Sequence, residues 1–108
     1  MPRRIKAVVG IAWYRASDWN RLREVSADAE RLEDSHGQWL AGAKRTIREL
    51  ERGGIRMRKV IIDLDELIPW CQARRLPIDG AARSQFVSEK IRLEEIGRNE
   101  GLGRDQAH

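Results

Sequence analysis

The chain has 108 residues, 41% hydrophobic and 35% charged, which is enough for one domain with a modest core and too few for two. No stretch approaches the roughly 18 apolar residues of a membrane span, and the first residues lack the long apolar run of a signal peptide. We therefore expect a cytoplasmic protein without membrane association. One cysteine and two histidines exclude an internal disulfide and a cysteine-cluster metal site, so the sequence predicts no metal and no cofactor.

The net charge of +4 raises the question of an acidic partner such as nucleic acid. Most arginines, however, alternate with glutamate and aspartate, as in RLREVSADAERLED and KRTIRELER. This pattern is typical of solvated helix faces with ion pairs between neighbouring turns. The basic stripe of a nucleic-acid-binding protein is missing, which leaves weak nucleic-acid association as the least favoured alternative.

The first predicted strand covers residues 5–14, IKAVVGIAWY, which are apolar and rich in β-branched and aromatic residues. Gly10 within it predicts the close approach of another backbone. Ser17 or Asp18 can cap the helix that follows. Its apolar positions have helical spacing and are Leu22, Val25, Ala29 and Leu32.

A second helix is predicted after Ser35, because Ser35 and Gln38 form a capping box. It ends at Gly53 and Gly54, where glycine is a common helix terminator. Its apolar face consists of Trp39, Leu40, Ala43, Ile47 and Leu50.

The segment 59–71, KVIIDLDELIPWC, is expected to join a central strand to a third helix. Val60, Ile61 and Ile62 are β-branched, which suits a strand covered on both faces. Aspartate is a preferred N-cap, and a cap at Asp65 places Pro69 where it costs only the first intrahelical hydrogen bond. A cap at Asp63 would place Pro69 deeper in the helix. We therefore expect Asp65 to be the cap and Asp63 to be free for another role.

Asp79 is expected to cap a last helix containing Ala82, Phe86, Ile91 and Leu93. The polar, glycine-bearing end of the chain predicts a disordered C-terminal tail over residues 98–108, after a single α/β domain over residues 1–97. The elements thus follow the order strand-helix-helix, repeated twice. Strands connected through helices are expected to be parallel neighbours.

A parallel sheet of two strands has two open edges, which proteins normally pair or cover. We therefore expect a homodimer that either joins two sheets into one or buries tryptophan-bearing helix faces. Four tryptophans are many for this length and favour both a packed core and an interface.

Parallel neighbours would bring Tyr14, Arg15, Asp63 and Asp65 together at the carboxyl ends of the strands, where ligands bind in open α/β sheets. These four residues are the candidate ligand-binding residues, and a small anionic ligand or an unknown protein is the candidate partner. The alternative is structural. Asp63 and Asp65 can cap a helix, and Arg15 can form an ion pair with either of them. Their pattern indicates neither a catalytic residue nor a metal site.

Residues 8–90 resemble a set of small uncharacterised bacterial proteins, through GIAWYR, DWNRL, the LED segment followed by QWL, DLDELIPWC and RLPIDGAAR. The resemblance implies a bacterial, self-contained domain and no particular chemistry. The sequence therefore favours a non-enzymatic, dimeric binding or interaction domain. The alternative is a small enzyme or anion-binding protein with its site at the strand ends.

Overall fold

The computed structural model describes the backbone of residues 8–106 and the side chains of residues 8–97. Strand β1 is followed by helices α1 and α2, and strand β2 by helices α3 and α4, so the α/β class and the repeated order are confirmed. The bounds are Val8–Trp13 for β1, Trp19–Val25 for α1, His36–Arg52 for α2, Arg56–Ile61 for β2, Leu64–Arg74 for α3 and Gly80–Gln106 for α4. Residues 5–7 of the predicted first strand lie outside the described part.

The two strands form a parallel sheet, as predicted, in which Val8 pairs with Arg56 and Trp13 with Ile61. Helix α4 packs against both strands on one face of this sheet. On the other face, Trp13 meets Trp39 of α2, with ring centroids 5.0 Å apart. The sheet is therefore the middle layer between α4 and α2.

Gly10 allows α4 to lie close to β1. A Cβ atom at this position would come within 2.6 Å of Val87 Cγ1 and would also collide with the Ile91 side chain. The prediction that a backbone approaches Gly10 is wrong, because the approaching groups are these α4 side chains. The need for glycine is nevertheless real, since any larger residue would push the helix off the sheet.

The core lies on the α4 side of the sheet and extends around the carboxyl ends of the strands. Helix α3 contributes three fully buried side chains to this core, and α4 contributes the aromatic ring of Phe86. The cluster consists of Tyr14, Trp19, Leu22, Val60, Ile62, Leu64, Leu67, Cys71, Ala82, Phe86 and Val87. Cys71 is a small apolar core residue that is 1% exposed, and burial raises the pKa of its thiol.

The apolar spacing leaves open how far α1 continues past Ser26, and in the structure the helix ends there because Ser26 is extended. A short 3₁₀ turn, Ala29–Arg31, follows. Hydrogen bonds to distant residues explain the break. The Ala27 N–H donates to the Ile78 carbonyl (2.7 Å), and the Ser26 hydroxyl accepts from Arg83 (3.2 Å).

The backbone of α4 remains helical to Gln106, whereas the sequence predicts a disordered tail over residues 98–108. Glu100, Leu102 and Arg104 are good helix formers, and the glycines between them lower helix propensity without removing a backbone hydrogen bond. Residues 107 and 108 lie outside the described part, and the division at residue 97 stays a prediction.

Candidate functional site

The carboxyl ends of the two strands are adjacent, as the sequence predicts. Trp13 pairs with Ile61, and the Ile62 N–H donates to the Trp13 carbonyl at 2.9 Å. Tyr14 and Arg15 therefore leave the sheet beside Ile62 and Asp63. The side chains of the candidate ligand-binding residues nevertheless take different directions, and their role in ligand binding stays a prediction.

The Tyr14 ring is buried in the core. It lies edge-on to Trp19 and Trp39, with centroids 5.8 and 5.0 Å away, and the Tyr14 carbonyl accepts a hydrogen bond from His36 Nε2 at 2.7 Å. Burial raises the pKa of the Tyr14 hydroxyl, although the nearby guanidinium of Arg83 opposes that shift. Tyr14 is thus a neutral ring that ties the end of β1 to α1 and α2.

Arg15 and Asp65 each have a partner of their own. Arg15 Nε lies 3.4 Å from a carboxylate oxygen of Asp18, three residues further along the chain. Asp65, which is 76% exposed, accepts a hydrogen bond from Arg21 of α1 at 2.9 Å. The prediction that Arg15 pairs with Asp63 or Asp65 is therefore wrong. A neighbour on the same turn reaches Arg15 more readily than a residue on another element does.

Asp63 is the N-cap of α3, so the prediction of a cap at Asp65 is also wrong. The Asp63 backbone is extended, and its carboxylate accepts the Asp65 N–H at 2.9 Å. Helix α3 consequently tolerates Pro69 in its interior. A proline there cannot donate to the carbonyl of Asp65, four residues earlier. The cap and the paired acids Asp65 and Glu66 in the first turn offset that loss through the helix dipole.

Replacing Asp63 by alanine should lower the free energy of unfolding by about 0.5 to 2 kcal/mol, because the α3 N-terminus loses its cap. The same change at Asp65 should have a smaller effect, roughly 0 to 1 kcal/mol, since it removes an exposed ion pair. Urea unfolding followed by circular dichroism measures both. An Asp65→Ala effect larger than that of Asp63→Ala would contradict the assignment of the cap.

An ion pair between the buried Arg83 and the partly buried Asp28 is the main polar feature of the interior, and sequence reasoning did not find it. Arg83 is 5% exposed. Its Nη1 and Nη2 donate to the two carboxylate oxygens of Asp28 at 3.1 and 2.9 Å, and Nη1 also donates to the Ser26 hydroxyl. Asp28 Oδ2 further accepts the Gly80 N–H at 2.9 Å. Asp28 thereby fastens the loop after α1 to the first turn of α4.

Burial of the Asp28 carboxyl disfavours its charged form, but the hydrogen bond and charge of Arg83, together with the Gly80 N–H, lower its pKa overall. The pKa in the folded state is thus below the ordinary value of about 3.8. A lowered carboxyl pKa contributes stability above the unfolded-state pKa, and this contribution disappears as the pH falls through the folded-state pKa.

The free energy of unfolding should therefore fall on acidification below about pH 4, and part of this fall should be absent from the Asp28→Asn variant. Urea unfolding at a series of pH values between 6 and 2 measures both proteins. An acid dependence that is the same in the variant would show that other carboxyl groups account for the whole effect.

Five rings from three elements form an aromatic cluster beside the strand ends. Trp39 of α2 is its centre, with centroid distances of 5.0 Å to Trp13, 5.0 Å to Tyr14, 5.8 Å to Trp19 and 5.2 Å to His36. His36 stands at the start of α2, where its sequence position suggests a surface residue, but it is half-buried and bonded to the Tyr14 carbonyl. No local signal identifies this contact, because the partners are 22 residues apart.

The outer edge of β1 carries backbone groups that have no strand partner in the described part of the chain. The Trp13 carbonyl bonds to β2, so the backbone groups of alternate residues point the opposite way. The N–H and C=O groups of Val8, Gly10 and Ala12 therefore point outward. This edge has no charged side chain, whereas β2 carries Arg56, Arg58 and Lys59.

A groove of about 500 Å³ runs between this edge and α4, and we call it the β1 groove. Val9, Gly10, Ile11 and Ala12 form one wall, with Tyr14 at its end. The other wall is formed by α4 residues Gly80, Arg83, Ser84, Val87 and Ser88. A further cavity of about 370 Å³ adjoins it and shares Val9, Gly10 and Ser88. Together they follow the whole length of the strand.

A third cavity, of about 570 Å³, lies between α3 and α4 and is more apolar. Pro69, Trp70, Phe86 and Leu93 line it, and its charged residues are bound to one another or to neighbours. Lys90 bonds Glu66 at 2.7 Å, and Glu89 accepts from Trp70 Nε1 at 3.1 Å. Asp65 lines this cavity and Tyr14 the β1 groove, so two of the candidate ligand-binding residues belong to different surfaces.

Within the described residues, no group of three or more histidine, cysteine, aspartate or glutamate side chains could hold a metal ion. No helix in this part of the chain is long and apolar enough to cross a membrane. Comparisons with protein-family models, with curated proteins and with solved structures find no match to the chain. Its function must therefore be inferred from these surfaces.

Proposed function

We propose that the protein is a non-enzymatic interaction domain that binds another polypeptide by strand addition at the outer edge of β1. In strand addition, an extended segment pairs with an exposed sheet edge, and main-chain hydrogen bonds provide much of the affinity. The observation that carries the proposal is the uncharged β1 edge, whose outward N–H and C=O groups border the β1 groove.

Exposed edges are usually protected by charged side chains, by proline or by a covering element. Strand β2 carries three basic residues, which protect its edge in this way. On β1, by contrast, Val8 and Val9 remain 48% and 41% exposed beside backbone groups that have no strand partner among the described residues. An edge that is apolar, unpaired and bordered by a groove has the properties of a binding surface.

The residues at the strand ends support binding rather than catalysis. Tyr14 is buried and kept neutral, Asp63 caps a helix, and Arg15 and Asp65 are held in ion pairs. General acid–base or nucleophilic chemistry needs a reactive group that is accessible and activated by a neighbour. These side chains already have structural partners.

A peptide with residues 8–13 between added lysines, labelled with a fluorophore, is a suitable probe because it is extended, β-branched and able to pair as a strand. Its binding, measured by fluorescence anisotropy with dilute protein, should be lost in the Ala12→Pro variant. Proline at this position removes an outward N–H without breaking a hydrogen bond to β2. The matched control is Lys59→Pro, which places proline on the outer edge of β2.

The proposal predicts binding to the wild type and to Lys59→Pro, together with slower exchange of the Gly10 and Ala12 amide protons in the complex. It is wrong if the peptide binds Ala12→Pro as well as it binds the wild type. It is also wrong if neither the peptide nor a second copy of the chain protects these two amides.

A further inference from the structure

The partner of the β1 edge and of α4 is the subject of this inference, which rests on the proposed function. We infer that two copies pair their β1 strands antiparallel about a two-fold axis near Gly10. The product is a continuous four-stranded sheet in the order β2, β1, β1, β2. The two α4 helices then lie side by side on one face of that sheet.

The direction of α4 makes this arrangement self-consistent. Tyr14 and Arg83 lie at one end of the β1 groove, and Val8 and Glu95 line the cavity that adjoins its other end, so α4 runs antiparallel to β1. Gly10, at the middle of the strand, touches Val87 and Ile91. An axis through Gly10 therefore passes close to Ser88, which lies between those two residues in sequence, and both the strand and the helix are centred on it.

The spacing of the layers also fits. Helix α4 packs on both β1 and β2, and two strands are together about 10 Å wide. Two copies of α4, each above its own pair of strands, would be separated by about that distance, and packed helices lie about 8 to 10 Å apart. The pair of helices would thus cover the four-stranded sheet without a gap.

The side of α4 that would face its copy is polar, with a small residue at its centre. Ser88 directly follows Val87, which faces the sheet, so it lies about 100° further round the helix, on the side of α4 that lines the β1 groove. Ser84 and Arg92 are one turn before and after it and share this stripe. All three residues are exposed within a single copy. Serine at the axis leaves room for the close approach of two helices.

The charges along this stripe are compatible with the two-fold axis. With Ser88 at the centre, antiparallel helices place Ser84 opposite Arg92 of the second copy, and Ala81 opposite its Glu95. No like charges face each other in this register. Pairing would also bury the exposed Val8 and Val9 side chains beside the axis, which the hydrophobic effect favours.

Sedimentation equilibrium at micromolar concentration should give a mass twice the 12.5 kDa of one chain. Ser88→Trp should raise the dimer dissociation constant at least about tenfold, because a large side chain at the axis separates the helices. Leu93→Trp is the matched control on the same helix, since Leu93 is exposed and lines the cavity between α3 and α4, away from this stripe, and it should leave the constant unchanged. Ala12→Pro should give a monomer, and circular dichroism should show that each variant remains folded.

The outcomes separate this inference from the proposed function. A monomeric wild type that binds the β1 peptide would overturn the second copy as the partner and leave strand addition in place. A monomer that does not bind the peptide would overturn both. A dimer unaffected by Ala12→Pro and Ser88→Trp would place self-association on another surface and would overturn the inference.

Discussion

Replacing Asp28 by alanine is expected to lower the free energy of unfolding by about 3 to 5 kcal/mol, which is among the largest effects of any single substitution in this protein. The reason is the burial of its partner. Without Asp28, the Arg83 guanidinium remains in the interior beside the Ser26 and Tyr14 hydroxyls but without the carboxylate that balances its charge. The α4 N-terminus also loses the carboxylate that accepts the Gly80 N–H. Because small domains are stable by only about 5 to 15 kcal/mol, this loss should be plain in urea unfolding.

A double-mutant cycle separates the ion pair from other effects of the substitution. Arg83→Met removes the buried charge, so the double variant with Asp28→Ala should be more stable than Asp28→Ala alone. The control is Asp34→Ala. The Asp34 side chain is 88% exposed and 3.7 Å from Arg23, and its removal should have no measurable effect. Additive effects of the two buried substitutions would contradict a coupled pair.

The local signals in the sequence predicted most of the secondary structure. The Ser35 hydroxyl accepts the Gln38 N–H, and the Asp79 carboxylate accepts the Ala82 N–H, as the capping patterns indicate. The parallel sheet followed from two apolar stretches separated by helices. These predictions succeeded because each depends on residues close together in the chain or on a general rule of topology.

Most of what the sequence did not predict depends on distant residues, and the cap of α3 is the exception. Helix α1 ends where it does because Ala27 bonds to Ile78 and Ser26 to Arg83, more than 50 residues away. Asp63 rather than Asp65 caps α3, so the rule on Pro69 gave the wrong choice between two neighbouring acids. The charge-rich sequence likewise contains many possible ion pairs, and it does not indicate that Asp28 and Arg83 form the buried one.

The strand-end site shows the same limit. Topology predicted that Tyr14, Arg15 and Asp63 would be neighbours in the backbone, but not which way each side chain points. The edge of β1 needed the structure as well. The outward direction of the Gly10 and Ala12 backbone groups follows from the hydrogen bond of Trp13 to Ile62, which fixes the register of the sheet.

Truncation of Trp19 to alanine is the other substitution with a large expected effect, about 3 to 5 kcal/mol of unfolding free energy. Trp19 is buried at the head of α1, within 5.9 Å of the ring centres of Tyr14, Trp39 and His36. Its Nε1 donates to the Glu33 carbonyl at 3.2 Å, which holds the loop after α1 against the core. Removing the ring therefore leaves a cavity among aromatic side chains and an unpaired carbonyl.

Two further substitutions separate these contributions. Trp19→Phe keeps a ring in the cluster and loses the hydrogen bond, so it should cost less than Trp19→Ala, with about 1 kcal/mol due to the bond itself. Trp70→Ala should also cost less, because Trp70 is only partly buried and lines the open cavity between α3 and α4. Urea unfolding followed by far-ultraviolet circular dichroism compares all three without relying on tryptophan fluorescence. If Trp70→Ala were the more destabilising, the centre of the core would lie between α3 and α4 rather than at the strand ends.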